Sequence, residues 1–272
     1  MTTQTEKANQ FAVLHQSGCF VIPNPWDVGS AKLMQGLGFK ALASTSAGFA
    51  RSTGVNDYEL TRDQVIAHVA DLSQATDLPL SADLENGFGD RPQDCSEEIQ
   101  QGAAAGLVGG SIEDYAGAPG QQYDIGSAKE RAAAAVEAAR ACSLPLTITA
   151  RAENFFTGTP DLADTIARLQ AYQDAGADVL YAPGLRTVED IETVLASVDR
   201  PINVLLGPMT ELQPVSKLAQ MGVRRISIGS IFANVAMDAI IKASRGLLDD
   251  GSFAFMDGLS ASSEITRLMF GE

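Results

Sequence analysis

Eight apolar runs, each stopping at a polar or glycine-bearing exit and followed by a helical pattern, constrain this chain more than any other feature. The runs are Cys19–Ile22, Lys40–Ser44, Leu78–Glu85, Val108–Ile112, Leu146–Ala150, Ala177–Ala182, Ile202–Leu206 and Arg225–Ile228. They are near-continuously apolar rather than alternating, which is how strands covered on both faces by helices read. Eight such units in 272 residues predict an α/β fold of the (β/α)8 TIM-barrel type, which typically needs about 250 residues. A doubly wound sheet would place a GxGxxG turn after its first strand, and Asn24-Pro25-Trp26-Asp27 stands there instead. No linker-like shift in composition divides the chain. We therefore expect one barrel domain over residues 1–272, with an added C-terminal helical segment from about residue 231 to the end.

Local signals fill in the connections. Phe11–His15 reads as a short helix, Asp27 as the cap of a helix over Val28–Leu37, and Thr61–Thr76 as a helix after a polar loop at Arg51–Tyr58. The long helix from Ile231 is followed by one or two more.

In a barrel of this kind the chemistry sits where the strands end. The third run ends at Asp83-Leu84-Glu85-Asn86-Gly87-Phe88-Gly89. If the strand persists to Glu85, Asp83 and Glu85 point to the same side. Two neighbouring carboxylates repel unless a proton or cation lies between them, and such hard oxygen donors suit Mg2+. The other exits carry Asp27, the turn Thr45-Ser46-Ala47-Gly48, Glu113 and Asp114, Arg151 and Glu153, and Asn203. Arg151 offers a planar fork for a carboxylate or phosphonate, or else pairs with Glu113 or Glu153. The Thr45–Gly48 turn offers hydroxyls and backbone N–H groups to an anion, or is a plain turn.

The two histidines, His15 and His68, fall in helical patterns away from the exits, and no GxSxG elbow, zinc cluster or P-loop lysine occurs. Chemistry is left to metal, carboxylates, arginine and backbone dipoles, a set suited to stabilising an enolate. A net charge of −15 disfavours nucleic acid and anionic membranes as partners. Three separated cysteines, a polar N-terminus and no long apolar span lead us to expect a cytoplasmic protein with free thiols.

These exit residues resemble the isocitrate lyase/phosphoenolpyruvate mutase superfamily over most of the chain. Ala82-Asp83-Leu84-Glu85-Asn86-Gly87-Phe88-Gly89 is similar to the family's D-x-D-x-G-[FY]-G metal motif, Ser111-Ile112-Glu113-Asp114 to its IED, and Thr149-Ala150-Arg151-Ala152-Glu153 to its A-R-T-D. The resemblance implies a Mg2+ cofactor, with Mn2+ as a substitute, and a small anionic carboxylate substrate. It also implies a homodimer or homotetramer with helices swapped between subunits. By the same resemblance Asp83 is the direct metal ligand, with Glu85 and Glu113 holding metal waters, and Asp57 lies on a gating loop. Arg151 and Asn203 bind substrate, and Thr45, Ser46 and Ala47 take its carboxylate end. Two departures stand out. Glu85 replaces the motif's second aspartate, and the cysteine-bearing K-[KR]-C-G-H loop of the lyases is replaced by Tyr115–Tyr123. The thiol acid is therefore missing, and Tyr115, Tyr123 and Tyr181 are candidate substitutes.

The resulting expectation is a Mg2+-dependent lyase that cleaves a C–C bond next to a carboxylate in a small 2-oxo or 2-hydroxy acid, with Arg151, Asp57 and Glu113 in catalysis. The alternatives are a P–C bond mutase or hydrolase acting on phosphonopyruvate or phosphoenolpyruvate, and a barrel that binds a metabolite without turning it over.

Overall fold

The computed structural model describes residues 2–118, 121–208 and 210–271. All eight apolar runs form parallel strands: β1 (Phe20–Ile22), β2 (Leu42–Ala43), β3 (Leu80–Asp83), β4 (Gly109–Glu113), β5 (Thr147–Arg151), β6 (Val179–Tyr181), β7 (Ile202–Leu205) and β8 (Arg225–Ser227). From β2 to β8 each strand pairs with its sequence neighbour, and β1 pairs with β8, giving one eight-stranded sheet that curls into a (β/α)8 barrel closed except at the β1–β2 seam. The β1–β2 seam has a local cause. Pro23 and Pro25 carry no N–H, so the ladder there reduces to Ala43 N–H donating to Pro23 O at 3.1 Å. Asn24 completes the seam by donating to Ser44 O and accepting from Ile228 N–H, each at 3.1 Å.

The helices are α1 (Gln4–Leu14), α2 (Val28–Gly36), α3 (Ser46–Thr53), α4 (Arg62–Ala75), α5 (Pro92–Ala104), α6 (Ile125–Ala141), α7 (Leu162–Asp174), α8 (Val188–Ser197), α9 (Val215–Met221), α10 (Ile231–Asp250) and α11 (Ser262–Phe270). α1 begins seven residues before the expected Phe11, because Thr3 and Glu6 form a reciprocal capping box. It lies across the N-terminal ends of the strands, where Ala8 and Phe11 pack with Ile22, Ala41 and Val108. Gly109 makes room for this, since a side chain there would stand 2.8 Å from the Phe11 ring. Burying Phe11 completely contributes about 1.5–3 kcal/mol. The other end of the barrel is left open.

Two expectations about local structure are corrected. The stretch read as a turn and loop after β2 contains α3, because the Thr45 side chain accepts from Gly48 N–H and caps a helix that stops at left-handed Gly54. β3 ends at Asp83, and Glu85 has φ +47°, so the two acids do not alternate along one strand.

The C-terminal helices behave differently from the rest. α10 is twenty residues long and buries only Ala233, leaving Val235, Ile240 and Leu248 exposed. α11 folds back onto α2 of the same chain, with Leu268 against Gly36 and Lys32 over the Phe270 ring at 5.2 Å.

Candidate active site

A cavity of about 290 Å3 opens where the strands end, at the lower edge of the roughly 300–1,000 Å3 usual for small-molecule sites. Thr45, Ser46, Ala47, Asp57, Asp83, Arg151 and Asn203 all line it, so most residues singled out from the sequence converge there.

Arg151, the last residue of β5, is the hub. Its Nη1 lies 2.7 Å from Asp83 Oδ1, its Nη2 3.0 Å from Glu113 Oε2, and its Nε 2.8 Å from Glu153 Oε1. The register explains the meeting, because Asp83 pairs with Ser111 on β4, and Glu113, two residues further, pairs with Arg151. Residues two apart share a face, so all three side chains enter the same end of the barrel. Burial disfavours the charge on Arg151, but attraction to Asp83, Glu113 and Glu153 outweighs it and raises its pKa. The Tyr181 ring stacks near the guanidinium, 5.2 Å away.

One guanidinium does not balance this many acids. Burial, reinforced by Glu153 and Asp83, lifts the Glu113 carboxyl well above its ordinary range. Burial raises Asp57 as well, with repulsion from Asp83 adding to it. Glu85 is pushed up to about 8 by burial and then by Asp83 and Asp57. Asp57 Oδ1, Glu85 Oε1 and Glu153 Oε2 are buried without a hydrogen-bond partner. Orphaned carboxylate oxygens around a shared negative field fit a divalent cation. Among the described residues no three His, Cys, Asp or Glu side chains already form a cage.

Asp83 and Asp57 face the cavity itself. Glu113 is buried beside Arg151, its register partner, and Glu85 opens into an adjoining pocket that shares Tyr58. Ser46 donates to Asp83 Oδ2 through its hydroxyl at 3.1 Å and its N–H at 3.4 Å. The N-terminus of α3 therefore points at Asp83, where its dipole favours negative charge.

Other exit residues turn out to be structural. Asp27 caps α2, accepting from Ser30 N–H at 2.7 Å. Asp114 is buried among Arg168 (2.9 Å), the Tyr172 hydroxyl (2.5 Å) and Glu153 N–H (2.9 Å), and this network fixes the backbone beneath Glu153. Within the 115–123 loop, Pro119 and Gly120 lie outside the described residues. Tyr123 hydrogen-bonds Asp90 at 2.6 Å away from the cavity, and Tyr115 packs edge-on to Tyr58. Tyr181 does line the cavity.

Sequence reasoning missed two residues. Tyr58 lines the cavity and donates to Glu113 Oε1 at 2.6 Å, and its own pKa is strongly raised by burial and Glu113. Its φ is +64°; Tyr58, Glu85 and Phe88 are the non-glycine residues with positive φ among those described, and all three line the adjoining pocket. Such strain gathers where function fixes the backbone. Arg225, inside β8, is a second cation lining the cavity, so Arg151 is not alone there.

Comparison with known proteins identifies the family. The family model described as phosphoenolpyruvate phosphomutase matches residues 11–248. A provisionally named lyase/mutase from Burkholderia cenocepacia J2315 has a solved structure 48% identical to this chain. The likeness covers 97% of this chain and 95% of that one, with a TM-score of 0.94. The structure of 2,3-dimethylmalate lyase, a PEP mutase/isocitrate lyase superfamily member, is 25% identical over 98% of this chain and 95% of its own, with a TM-score of 0.84. An oxaloacetate decarboxylase of Chromohalobacter salexigens is 28% identical, covering 97% of this chain and 92% of its own. With its barrel, its three strand-exit motifs and the span of the family match, the chain belongs to the isocitrate lyase/phosphoenolpyruvate mutase superfamily of lyases and mutases.

Proposed function

We propose that this protein is a Mg2+-dependent lyase that breaks a C–C bond beside a carboxylate in a small 2-oxo or 2-hydroxy acid. The observation that carries the reading is the Arg151 hub, where one guanidinium is shared by Asp83, Glu113 and Glu153 at the mouth of a cavity sized for a small organic acid. Asp83 would hold the cation directly, with Glu85 and Glu113 fixing its waters and Asp57 alongside. When bound, Mg2+ supplies the positive charge that stabilises an enolate.

The chain's own groups do the rest. Arg151 and Asn203 orient the anion, and Ser46 and Ala47 present helix N-terminal N–H groups to its carboxylate end. As the C–C bond breaks, its electron pair passes into the enolate fragment. From a 2-hydroxy acid the other fragment leaves as a carbonyl compound, with its hydroxyl proton taken by Asp57. From a 2-oxo acid it leaves as CO2, and one proton on carbon completes the enolate product. Tyr58 holds its proton at neutral pH and lines the same cavity, so it takes the place of the absent thiol acid and regains a proton from solvent. The Asp57–Tyr58 segment covers the site from the side, in the position of a gate.

Two further proposals follow from the surface. α10 stands off its own barrel with an apolar face exposed, which supports a homodimer or homotetramer in which this helix is exchanged. No helix among the described residues is long and apolar enough to cross a membrane, and the three cysteines are free; we propose a cytoplasmic setting.

The test is a substrate panel of oxaloacetate, 2-methylisocitrate, 2,3-dimethylmalate and phosphonopyruvate, each with Mg2+ and with EDTA. We expect Mg2+-dependent cleavage of at least one carbon acid. Phosphate release from phosphonopyruvate with no carbon acid turned over would establish P–C chemistry instead, and no turnover at all would favour a binding barrel.

A further inference from the structure

Arg131, in α6, is a buried cation that the site described above does not use. It is 2% exposed and forms no ion pair with a carboxylate among the described residues; Asp94 and Glu98 on the adjoining α5 pair with Arg91 and Arg62 instead. Its Nη2 donates to Asn86 O, a carbonyl it shares with the Cys95 thiol at 3.6 Å, while its Nε and Nη1 have no acceptor. The guanidinium lies over the Tyr123 ring, 4.2 Å from the centroid. Tyr123 grips the same turn, since its hydroxyl accepts from Asn86 Nδ2 at 3.0 Å and donates to Asp90 Oδ1 at 2.6 Å. The tyrosine is itself anchored, with its N–H on Asp114 O at 2.9 Å and its carbonyl taking Arg168 Nη1 at 2.7 Å.

The turn held in this way is a demanding one. Glu85, Gly87 and Phe88 have φ of +47°, +79° and +56°, and two of the three carry side chains. Backbone of this kind persists only where the surroundings over-determine it. Gly87 packs on α5, where a Cβ would stand 3.0 Å from Cys95 Cα, and Glu113 N–H donates to Glu85 O at 3.0 Å. Arg131 adds the hold on the peptide group between Asn86 and Gly87. Burying a guanidinium against one neutral acceptor and a ring is costly where an apolar side chain would pack at no such penalty. What the charge holds accounts for it: the turn fixes Glu85, which is 4% exposed and keeps Oε1 unpartnered.

We propose that Arg131 is a positioning residue for the cation site. Through the Asn86 carbonyl and Tyr123 it holds the Glu85–Asp90 turn so that Glu85 is aimed at the metal's waters. This rests on the Mg2+ reading above and adds to it a residue that acts only through Glu85. Tyr123 ends the 115–123 loop, so the same contact ties that loop to the acid.

The experiment is an electron paramagnetic resonance titration of the metal-free full chain with Mn2+, in which the signal of the free aquo ion reports binding without turnover. Arg131→Met should weaken Mn2+ by about tenfold or more, the scale on which partners of metal-site groups act. Arg131→Lys, which keeps a donor for Asn86 O, should recover most of the loss. In a Glu85→Gln background Arg131→Met should weaken binding by less than about threefold, because the group it acts through is already impaired. Val136→Ala, a core substitution on the same helix, is the control and should leave Mn2+ affinity within about twofold of wild type. Should Arg131→Met fail to fold, Tyr123→Phe keeps the ring, removes the ties to Asn86 and Asp90, and goes through the same cycle with a loss of about threefold or more expected. Wild-type affinity in the folded variant, an equal loss with and without Glu85, or an equal loss in Val136→Ala would make Arg131 a strut between helices and overturn this proposal alone. A wild type that binds no Mn2+ would remove the cation, and with it both this proposal and the Mg2+ reading.

Discussion

Tyr58 joins three parts of the site, since it touches Glu113, lines the cavity and follows Asp57, which lines the cavity too. If it delivers the proton to carbon, Tyr58→Phe should lower kcat by roughly 10²-fold while KM changes little, as expected for loss of a general acid. Steady-state kinetics on whichever panel substrate turns over will check this, and an unchanged kcat would remove Tyr58 from catalysis. His68 poses a different question. It stacks on Phe49 at 3.7 Å, its Nε2 has no partner, and burial lowers its pKa to about 4 against the pull of Asp71 and Asp27. The unfolded chain takes up a proton below about pH 6.5 and the folded chain only near 4, so this residue's contribution to stability falls as pH drops through that window. The loss is on the order of 2 kcal/mol at pH 5. Buried Glu85 and Glu98 carry raised pKa values and slope the opposite way, so the readout is a difference between proteins. Urea titrations of His68→Phe should match wild type at pH 7.5 and exceed it at pH 5. At this scale the motif acids and Arg151 were legible because each stands at an abrupt end of an apolar run. Tyr58 and Arg225 were not, because a tyrosine in a polar loop and an arginine opening a strand look ordinary until the barrel closes around them.

Among the elements, the strands were the plainest to read, because burial on both faces leaves no polar alternation to blur them. Their connections were less legible. α3 has eight residues and only Gly48 and Ala50 buried, so it carries little periodicity, and its one strong signal is the Thr45 cap. The end of β3 was overextended to Glu85 because apolar and acidic residues alternate there, whereas the chain turns left-handed at that residue. Both misreadings concern the same side of the mouth, where α3 and the residues after β3 bend to aim Ser46 and the acids. α11 makes a separate prediction. A Cβ at Gly36 would stand 1.8 Å from the Leu268 carbonyl oxygen, a clash with backbone that no rotamer relieves. Gly36→Ala should therefore undock α11 at a cost of about 1–3 kcal/mol and expose residues 251–261 to limited proteolysis. Unchanged protease resistance would mean that α11 docks elsewhere.

For the whole molecule, the open questions concern assembly and activation. The −15 net charge keeps the surface soluble, yet α10 leaves Val235, Ile240 and Leu248 exposed on a helix that barely touches its own barrel. Light scattering should give a mass that is a multiple of 28.6 kDa, and Ile240→Asp with Leu248→Asp should bring it down to the single chain. A wild-type monomer at micromolar concentration would rule out the exchange of α10. Activation rests on the claim that Asp83, shared in this structure between Arg151 and Ser46, holds the cation that makes the bound acid reactive. The direct measurement is Mg2+-dependent turnover of the best panel substrate by wild type and by Asp83→Ala, with circular dichroism to show that both are folded. The account predicts that wild type loses turnover in EDTA and regains it with Mg2+, while Asp83→Ala is inactive in both. A folded Asp83→Ala that turns over at the wild-type rate would contradict it.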